Sequence, residues 1–306
     1  MKAAVYDKFG DVDVLQVREV GDPPVGPDAV LVRAQATSVN PVDWKIRMGR
    51  MTAAYPHHLP VIPGWDVAGV VERTGPAVRG LQAGDEVFGY VRRDDVCYGT
   101  AAELVPAPER TVAKRPHGIS FEEAAALPLA GSTAYQALVE ALDVRRGERV
   151  LVHGASGGVG HLAVQIAKAL GAHVVGTASP ANHDVVRGLG ADEMLDYHAG
   201  PISKQLDEPV DAVLDLAGGD ALEDAPAQVH DRERICSIVD AQTVLGLGGR
   251  YVFVRPDRAT LEALARLVSE DKLRVVVSGR YDLDDIAAAH SAGERGNGPG
   301  KIVVTI

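Results

Sequence analysis

Gly154-Ala155-Ser156-Gly157-Gly158-Val159-Gly160 places four glycines within seven residues, between an apolar stretch (Val150 to His153) and a helix-patterned one. A glycine lets the backbone turn tightly and lets a ligand approach the main chain. Gly154 and Gly157 are placed to do this for a pyrophosphate, while Gly160 would let the next helix pack closely. The unpaired N–H groups and positive dipole end of that helix then attract phosphate. The flanks supply the required context: Leu162, Ile166 and Ala169 recur at helical spacing, and Gly171 stands where a C-cap belongs. A second strand, His173 to Thr177, completes a strand–helix–strand unit. A dinucleotide is the expected ligand of this turn, from Gly154, Ala155, Ser156, Gly157, Gly158 and Val159 to Gly160.

The elements that position the turn are read from the texture of the chain. Residues 1–121 are strand-rich and broken by Gly, Pro and Asp, with strands expected at 29–34, 67–72 and after Gly84. From 122 to 277 strands (150–153, 173–177, 212–215, 234–239, 250–255) alternate with helices (159–170, 182–189, 258–269), the pattern of a parallel, doubly wound sheet. Residues 278–306 end on Lys301-Ile-Val-Val-Thr-Ile306, a strand expected to return to the first domain. The fold class is α/β: a doubly wound parallel sheet plus a β-rich domain.

Composition narrows the function. The 306 residues are 24% charged and 46% hydrophobic, with a formal net charge of −11, which argues against nucleic acid or an anionic membrane as partner. No apolar run reaches the length of a membrane span, and the N-terminus reads as a strand rather than a signal peptide. Cys97 and Cys236 are the only cysteines, so no disulfide framework is possible, and the expected location is the cytoplasm.

Several stretches together carry a family signature: Met1-Lys-Ala-Ala-Val5, Ser38-Val-Asn-Pro-Val-Asp43, Pro63-Gly-Trp-Asp-Val-Ala-Gly-Val-Val71, Gly84-Asp-Glu-Val-Phe-Gly89, Ala124-Ala-Ala-Leu-Pro128, Ser132-Thr-Ala-Tyr135, Leu189-Gly-Ala-Asp192 and Gly300-Lys-Ile-Val303. With the glycine-rich turn they resemble the medium-chain dehydrogenase/reductase superfamily, and within it the zinc-independent quinone oxidoreductase (zeta-crystallin-like) branch. The resemblance implies a GroES-like substrate domain (1–121), a Rossmann NADP-binding domain (122–277) and a C-terminal return (278–306), with the active site between them. It implies hydride transfer from NADPH to a quinone or an α,β-unsaturated carbonyl compound.

Zinc requires three protein ligands of the Cys, His or carboxylate type. Where zinc-dependent relatives carry a cysteine and a Gly-His-Glu triplet, this chain has Asn40 and Gly64-Trp65-Asp66, so no metal site is expected. Without that Lewis acid, acceptors already activated by conjugation are favoured. Asn40 is expected to face the cleft and hydrogen-bond a substrate carbonyl. Asp43 is a second catalytic candidate, with fixing of the local turn as its alternative. Tyr55 and Trp65 either shape the substrate pocket or belong to the core. No general acid is named.

The second strand of a doubly wound unit carries an acid at its end when the ribose 2′-hydroxyl is bound. Here Ala178 stands there, which leaves room for a 2′-phosphate, and Ser179 can donate to it. Relatives add a lysine and a tyrosine. Tyr197 matches the tyrosine, while Asn182 and His183 replace the lysine, and His183 meets a phosphate best when protonated. The resemblance also places Thr133 near the cofactor, and Ser237, Val239, Phe253 and Val254 beside the nicotinamide. NADPH is the expected cofactor. Arg92 and Arg93 either meet an anionic substrate or lie on the surface.

Two other readings use the same scaffold: a tailoring reductase for one natural-product enone or imine, and a non-catalytic NADPH-binding protein. A homodimer is expected, with Tyr251 to Val254 as the exposed strand edge that seeks a partner.

Overall fold

In the computed structural model, which describes residues 1–296 and 298–306, the chain opens with β1 (Lys2–Val5), β2 (Gln16–Glu19), β3 (Ala29–Val39), α1 (Pro41–Arg47), β4 (Asp66–Thr74), β5 (Glu86–Tyr90), β6 (Leu104–Pro108) and β7 (Val112–Lys114). Two helices follow, α2 (Phe121–Ala126) and α3 (Pro128–Tyr135), the latter running on into a π-helical turn over Gln136–Ala141. Next come β8 (Arg149–Val152), α4 (Gly160–Leu170), β9 (His173–Ala178), α5 (His183–Gly188), β10 (Glu193–Asp196) and β11 (Ala212–Asp215). They are followed by α6 (Gly219–Asp224), β12 (Ile235–Ser237), α7 (Ala241–Gly246), β13 (Arg250–Tyr251) and α8 (Arg258–Ser269). The chain closes with β14 (Val277–Asp282), α9 (Ile286–Arg295) and β15 (Lys301–Thr305).

Strands β8 to β13 form one parallel sheet in the order β10-β9-β8-β11-β12-β13. Their central members carry continuous apolar runs (Val150–Val152, Val174–Val175 and Ala212–Leu214), as expected where helices cover both faces. Alternate residues go to opposite cores: Leu151, Val175 and Val213 pack on one side, and Val150, Val152, Val174 and Leu214 on the other. The strand order reverses between β8 and β11, and a ligand crevice opens at such a switch point, beyond the carboxyl ends of the strands. The glycine-rich turn follows β8 there.

The other large sheet runs β14-β15-β3-β4-β5-β7, with β6 also paired to β3. β15 is antiparallel to β3, so the last strand of the chain lies inside the β-rich sheet. Alanines of α2 and α3 (Ala124, Ala125, Ala126, Ala130, Ala134) are buried against Ala36, Ala68 and Phe88 of that sheet and against α4. Their small side chains let the two sheets share one continuous core. The fold is thus mixed α/β, a parallel Rossmann-like sheet beside a β-rich GroES-like unit.

α4 is bounded by glycines at both ends. Gly160 sits against the turn it follows, where an added Cβ would collide with the Gly154 carbonyl and come within 2.8 Å of the Ala155 backbone. Gly171 adopts φ 88°, and the N–H groups of Gly171 and Ala172 close on the carbonyls of Lys168 and Ala167, a Schellman termination.

One element departs from the sequence pattern. The apolar run 250–255 reads as a full strand, yet only Cys236–Arg250 and Ser237–Tyr251 pair. The Val252 N–H still donates to the Ser237 carbonyl at 3.0 Å; at Val254 and Arg255 side chains from other elements take the backbone groups instead. Gln136 accepts from the Arg255 N–H and donates to its carbonyl, and Arg92 donates to the carbonyl of Val254. No helix among the described residues is long and apolar enough to cross a membrane.

Candidate active site

Strand register brings the polar centre together. β3 ends at Val39 and delivers Asn40 as the N-cap of α1, whose first residue is Pro41. Ser38 pairs with Asp66 at the start of β4, and Val39 pairs with Ile302 of β15. Asp66 and Lys301 therefore flank Asn40 from either side.

The bonds that result are specific. Asp66 accepts from the backbone N–H of Leu129 at one oxygen (2.7 Å), and from Ser38 Oγ and Asn40 Nδ2 at the other (both 2.7 Å). Lys301 Nζ donates to the Val39 carbonyl at 2.9 Å and to Asn40 Oδ1. Burial pushes the Asp66 carboxyl above the usual carboxylate range and pulls the Lys301 ammonium below that of a free lysine. Their mutual attraction opposes both shifts.

Asp43 lies on the protein side of α1. Its Oδ2 accepts from the Asn40 N–H at 2.7 Å, closing a capping box, and its Oδ1 has no partner among the described residues. Burial raises its pKa to about 7, against the bond from Asn40; the neighbouring Asp66 adds to the rise, and Lys301 and Arg47 oppose it.

A cavity of about 560 Å³ opens above this centre. Its floor holds Asn40, Thr133 and Lys301, and one wall holds Gly154, Gly157, Gly158, Val159 and Gly160. Trp44, Met51, Trp65, Tyr90 and Leu129 form the apolar wall, Lys45 stands on α1 at its side, and Val239, Phe253 and Val254 face them across the cleft. The structure thus gathers Asn40, Thr133, Trp65, the glycines, Val239, Phe253 and Val254 into one space.

Other sequence candidates stand apart from the lining. Tyr55 packs edge-on against Trp65, with ring centroids 5.7 Å apart, and its hydroxyl accepts from Arg92 at 3.3 Å. Ser237 is buried beneath the cleft and donates to Asp215 at 2.7 Å. Ala155 is buried behind the turn. Ser156, Ser179, His183 and Tyr197 lie around the end of β9. Asn182 Nδ2 reaches Ser179 Oγ at 3.3 Å and Ser156 Oγ at 3.4 Å, His183 Nε2 donates to the Ala178 carbonyl at 3.1 Å, and Tyr197 is exposed. Arg92 is neither free nor on the open surface. It bonds Val254 O at 3.2 Å and stacks on Phe253 at 5.2 Å, tying the two halves of the cleft. Cys97 and Cys236 are unpaired, and burial raises both thiols, Cys236 to about 12.

Sequence reasoning missed Lys301 and the hub role of Asp66. A lysine that opens an apolar strand reads as its solvated end. The only local hint was Gly300, whose N–H bonds the Ser156 carbonyl at 3.0 Å and so docks the C-terminal return onto the glycine-rich turn.

Comparison with known proteins fits this geometry. Residues 26–117 match the alcohol dehydrogenase GroES-like domain, and residues 189–304 match the family described as zinc-binding dehydrogenase. The chain is 36% identical to the 2-methylene-furan-3-one reductase of Solanum lycopersicum, over 99% of this chain and 79% of that protein. It is 35% identical to the chloroplastic NADPH-dependent alkenal/one oxidoreductase of Arabidopsis thaliana, with the same two coverages. The solved quinone oxidoreductase of Coxiella burnetii superimposes with a TM-score of 0.91 at 34% identity, covering 100% of this chain and 99% of that one. The chain belongs to the medium-chain dehydrogenase/reductase superfamily, in its quinone oxidoreductase branch.

As such it is an NAD(P)H-type oxidoreductase, and the crevice beside the glycine-rich turn suits a nicotinamide dinucleotide. The zinc in the family description does not fit the donors present. Among the described residues no group of three or more His, Cys, Asp or Glu could hold a metal ion. Asp66, which bonds the lining residue Asn40, already accepts three hydrogen bonds.

Proposed function

We propose that this medium-chain dehydrogenase/reductase is an NADPH-dependent reductase that passes a hydride directly to a quinone or an α,β-unsaturated carbonyl compound, without zinc. The observation that carries the reading is Asn40, a carboxamide held between Lys301 and Asp66 on the floor of the cavity that the glycine-rich turn lines. The furanone, alkenal and quinone in the names of its relatives support the acceptor class.

A bound reduced nicotinamide supplies a hydride equivalent; everything else in the reading falls to the chain. Backbone N–H groups of the turn and the start of α4 would hold the pyrophosphate. Ser179, Asn182, His183 and Tyr197 would surround a 2′-phosphate, and the lack of a carboxylate at Ala178 supports NADPH over NADH. Val239, Phe253 and Val254 would orient the carboxamide, with Thr133 beneath. The apolar walls of Trp44, Met51, Trp65, Tyr90 and Leu129 would lower the local dielectric around the acceptor, which strengthens any polar contact inside while leaving the cleft open to solvent. As the β-carbon of an enone gains the hydride, its π pair moves towards the carbonyl and negative charge grows on oxygen. Asn40 would donate to that oxygen where the charge develops. Water then protonates the α-carbon, so no side-chain acid is assigned.

The reading extends to a homodimer in the cytoplasm. Leu245 is exposed on α7 beside the short edge strand β13, and the two free thiols suit a reducing compartment. Light scattering on the purified protein tests the dimer.

The decisive experiment follows oxidation of NADPH and NADH against a panel of quinones and enones, with and without chelator. Chelator-resistant turnover, faster with NADPH, is the expected result. Faster turnover with NADH overturns the cofactor assignment. Tight NADPH binding without turnover of any acceptor overturns the reductase assignment.

A further inference from the structure

We propose that Lys301 is a positioning residue for the reaction: it fixes which way round the Asn40 carboxamide sits, so that Asn40 presents an N–H, and not its oxygen, to the acceptor carbonyl. The inference rests on the reading of Asn40 given above and adds the device that makes it directional.

A carboxamide has an oxygen that accepts and a nitrogen that donates, in nearly the same shape, so an unconstrained asparagine is free to face a ligand either way. In this site the choice is forced from both sides. Lys301 carries donors only, and it meets Asn40 at Oδ1. Asp66 meets the same amide at Nδ2, 2.7 Å away, and two other donors (Ser38 Oγ and Leu129 N) already hold that carboxylate as an acceptor. Turning the amide over would set an N–H against an ammonium and an oxygen against a carboxylate, in a dry pocket where such contacts are most costly. One proton of Nδ2 is used by Asp66. The other makes no hydrogen bond among the described residues, and Asn40 lines the cavity.

Lys301 is itself held in place. Its ammonium is anchored on the Val39 carbonyl, one residue before Asn40, and the side chain is 96% buried. Its stem runs past the glycine-rich turn, where a Cβ on Gly158 would lie 3.1 Å from Lys301 Cδ. The preceding residue, Gly300, is bonded to Ser156 of the same turn. Through Lys301, the loop that would carry the dinucleotide and the group that would polarise the acceptor form one connected unit.

The test is a double-mutant cycle on the full-length enzyme, with Lys301→Met, Asn40→Ala and the pair, read with NADPH and an enone that the wild type reduces. Lys301→Met should lower kcat about 10- to 100-fold, somewhat less than full loss of a transition-state donor. The dissociation constant for NADPH, from quenching of protein fluorescence, should change less than twofold. A larger primary isotope effect with the transferable hydrogen deuterated should appear, because hydride transfer becomes slower. In the Asn40→Ala background the same substitution should cost less than threefold, and Lys301→Arg should recover part of the wild-type rate. A kcat within twofold of wild type in Lys301→Met overturns the proposal. So does an equal loss in both backgrounds, or a loss confined to NADPH affinity, each of which would mean that Lys301 serves something other than Asn40. If Lys301→Met does not fold, because Asp66 is left buried and unopposed, the charge-neutral pair Lys301→Met with Asp66→Asn is read instead. It should fold, bind NADPH and show the same kcat loss; wild-type kcat in that variant overturns the proposal. Inertness of the wild type towards every quinone and enone would instead remove the reductase reading itself, a result distinct from an active wild type with an equally active Lys301→Met.

Discussion

Replacing Asp43 by asparagine should change how the stability of the protein depends on pH. The native carboxyl is buried, one oxygen bonded to the Asn40 N–H and the other bare, and its pKa is raised to about 7 from a reference of 3.8. Between those two values the unfolded chain has released a proton that the native state retains. The stabilising contribution is therefore complete below about pH 4 and is lost as pH rises towards 7. At a factor of ten in the folding equilibrium per unit of pKa, the loss is on the order of 4 kcal/mol by pH 7.5 and about 2 kcal/mol by pH 5. Asparagine keeps an oxygen for the Asn40 N–H and carries no charge at any pH. Relative to wild type, Asp43→Asn should thus gain about 2–3 kcal/mol between pH 5 and pH 7.5, a relative rise in thermal midpoint on the order of 5 °C. Differential scanning fluorimetry of both proteins at the two pH values reads it directly. Asp66 and Lys301 are present in both proteins, so the difference reads Asp43 together with its interaction with these two neighbours. A midpoint difference that stays constant from pH 5 to pH 7.5 would falsify the argument, and with it the claim that this carboxyl is held neutral in the native state at low pH.

Three further outcomes follow from single contacts. Gly160→Ala puts a methyl against the Gly154 carbonyl and within 2.8 Å of Ala155 backbone atoms; the turn must open, and NADPH affinity by fluorescence titration should fall at least about tenfold, roughly the 1.4 kcal/mol of a modest backbone strain. Unchanged affinity would show that the tight turn is not needed for the ligand. Ser179→Asp places a carboxylate at the end of β9, and the ratio of NADH to NADPH affinity should rise about tenfold at low salt and less at high salt; a ratio insensitive to the substitution would remove Ser179 from the 2′-phosphate site. Arg92→Ala deletes the bonds to Tyr55 and Val254 and the stacking on Phe253, so amide exchange at residues 252–255 should speed up about tenfold, as expected for loss of 1–2 kcal/mol of local stability. Equal exchange in variant and wild type would mean that Gln136 and the Val252–Ser237 bond hold the segment without Arg92.

Much of this was legible in sequence because local rules and tertiary structure agree. Strand β8, the glycine-rich turn and α4 appear where the apolar spacing placed them, and Gly171 caps the helix as expected. The failures share one cause, side chains that act across long sequence distances. Arg250–Arg255 has the composition of a strand, yet Gln136 and Arg92, more than a hundred residues earlier, take the backbone groups of Val254 and Arg255. Asp43 is a different case: sequence reasoning weighed catalysis and a local turn evenly, and its bond to Asn40, three residues away, closes the capping box outside the cavity lining. Lys301 was invisible as a site residue because only the pairing of β15 with β3, 262 residues apart at the Lys301–Val39 bond, turns a strand-end lysine into a buried one.

That pairing also explains how a cleft of this family can work with the donors it has. Two carboxylates, Asp43 and Asp66, are buried beside Asn40, and a dry pocket tolerates such groups only if they are neutralised, hydrogen-bonded or opposed by a cation. Asp43 is held towards its neutral form by burial, and Asp66 is satisfied by three donors and the nearby Lys301 ammonium. A metal at this position would polarise the acceptor itself. An ammonium already bonded to Val39 O and Asn40 Oδ1 acts one step removed, by turning a neutral amide so that its N–H faces outward. Such a donor stabilises a partial negative charge that conjugation has already spread, but it lacks the pull needed to activate an isolated ketone or alcohol. The same cluster that orients Asn40 therefore limits the acceptor. Saturated aldehydes and ketones should be turned over at least about a thousandfold more slowly than enones of the same size, on the scale of one transition-state donor or more. Comparable rates for a saturated ketone and its enone, measured side by side with NADPH, would contradict this account of the site.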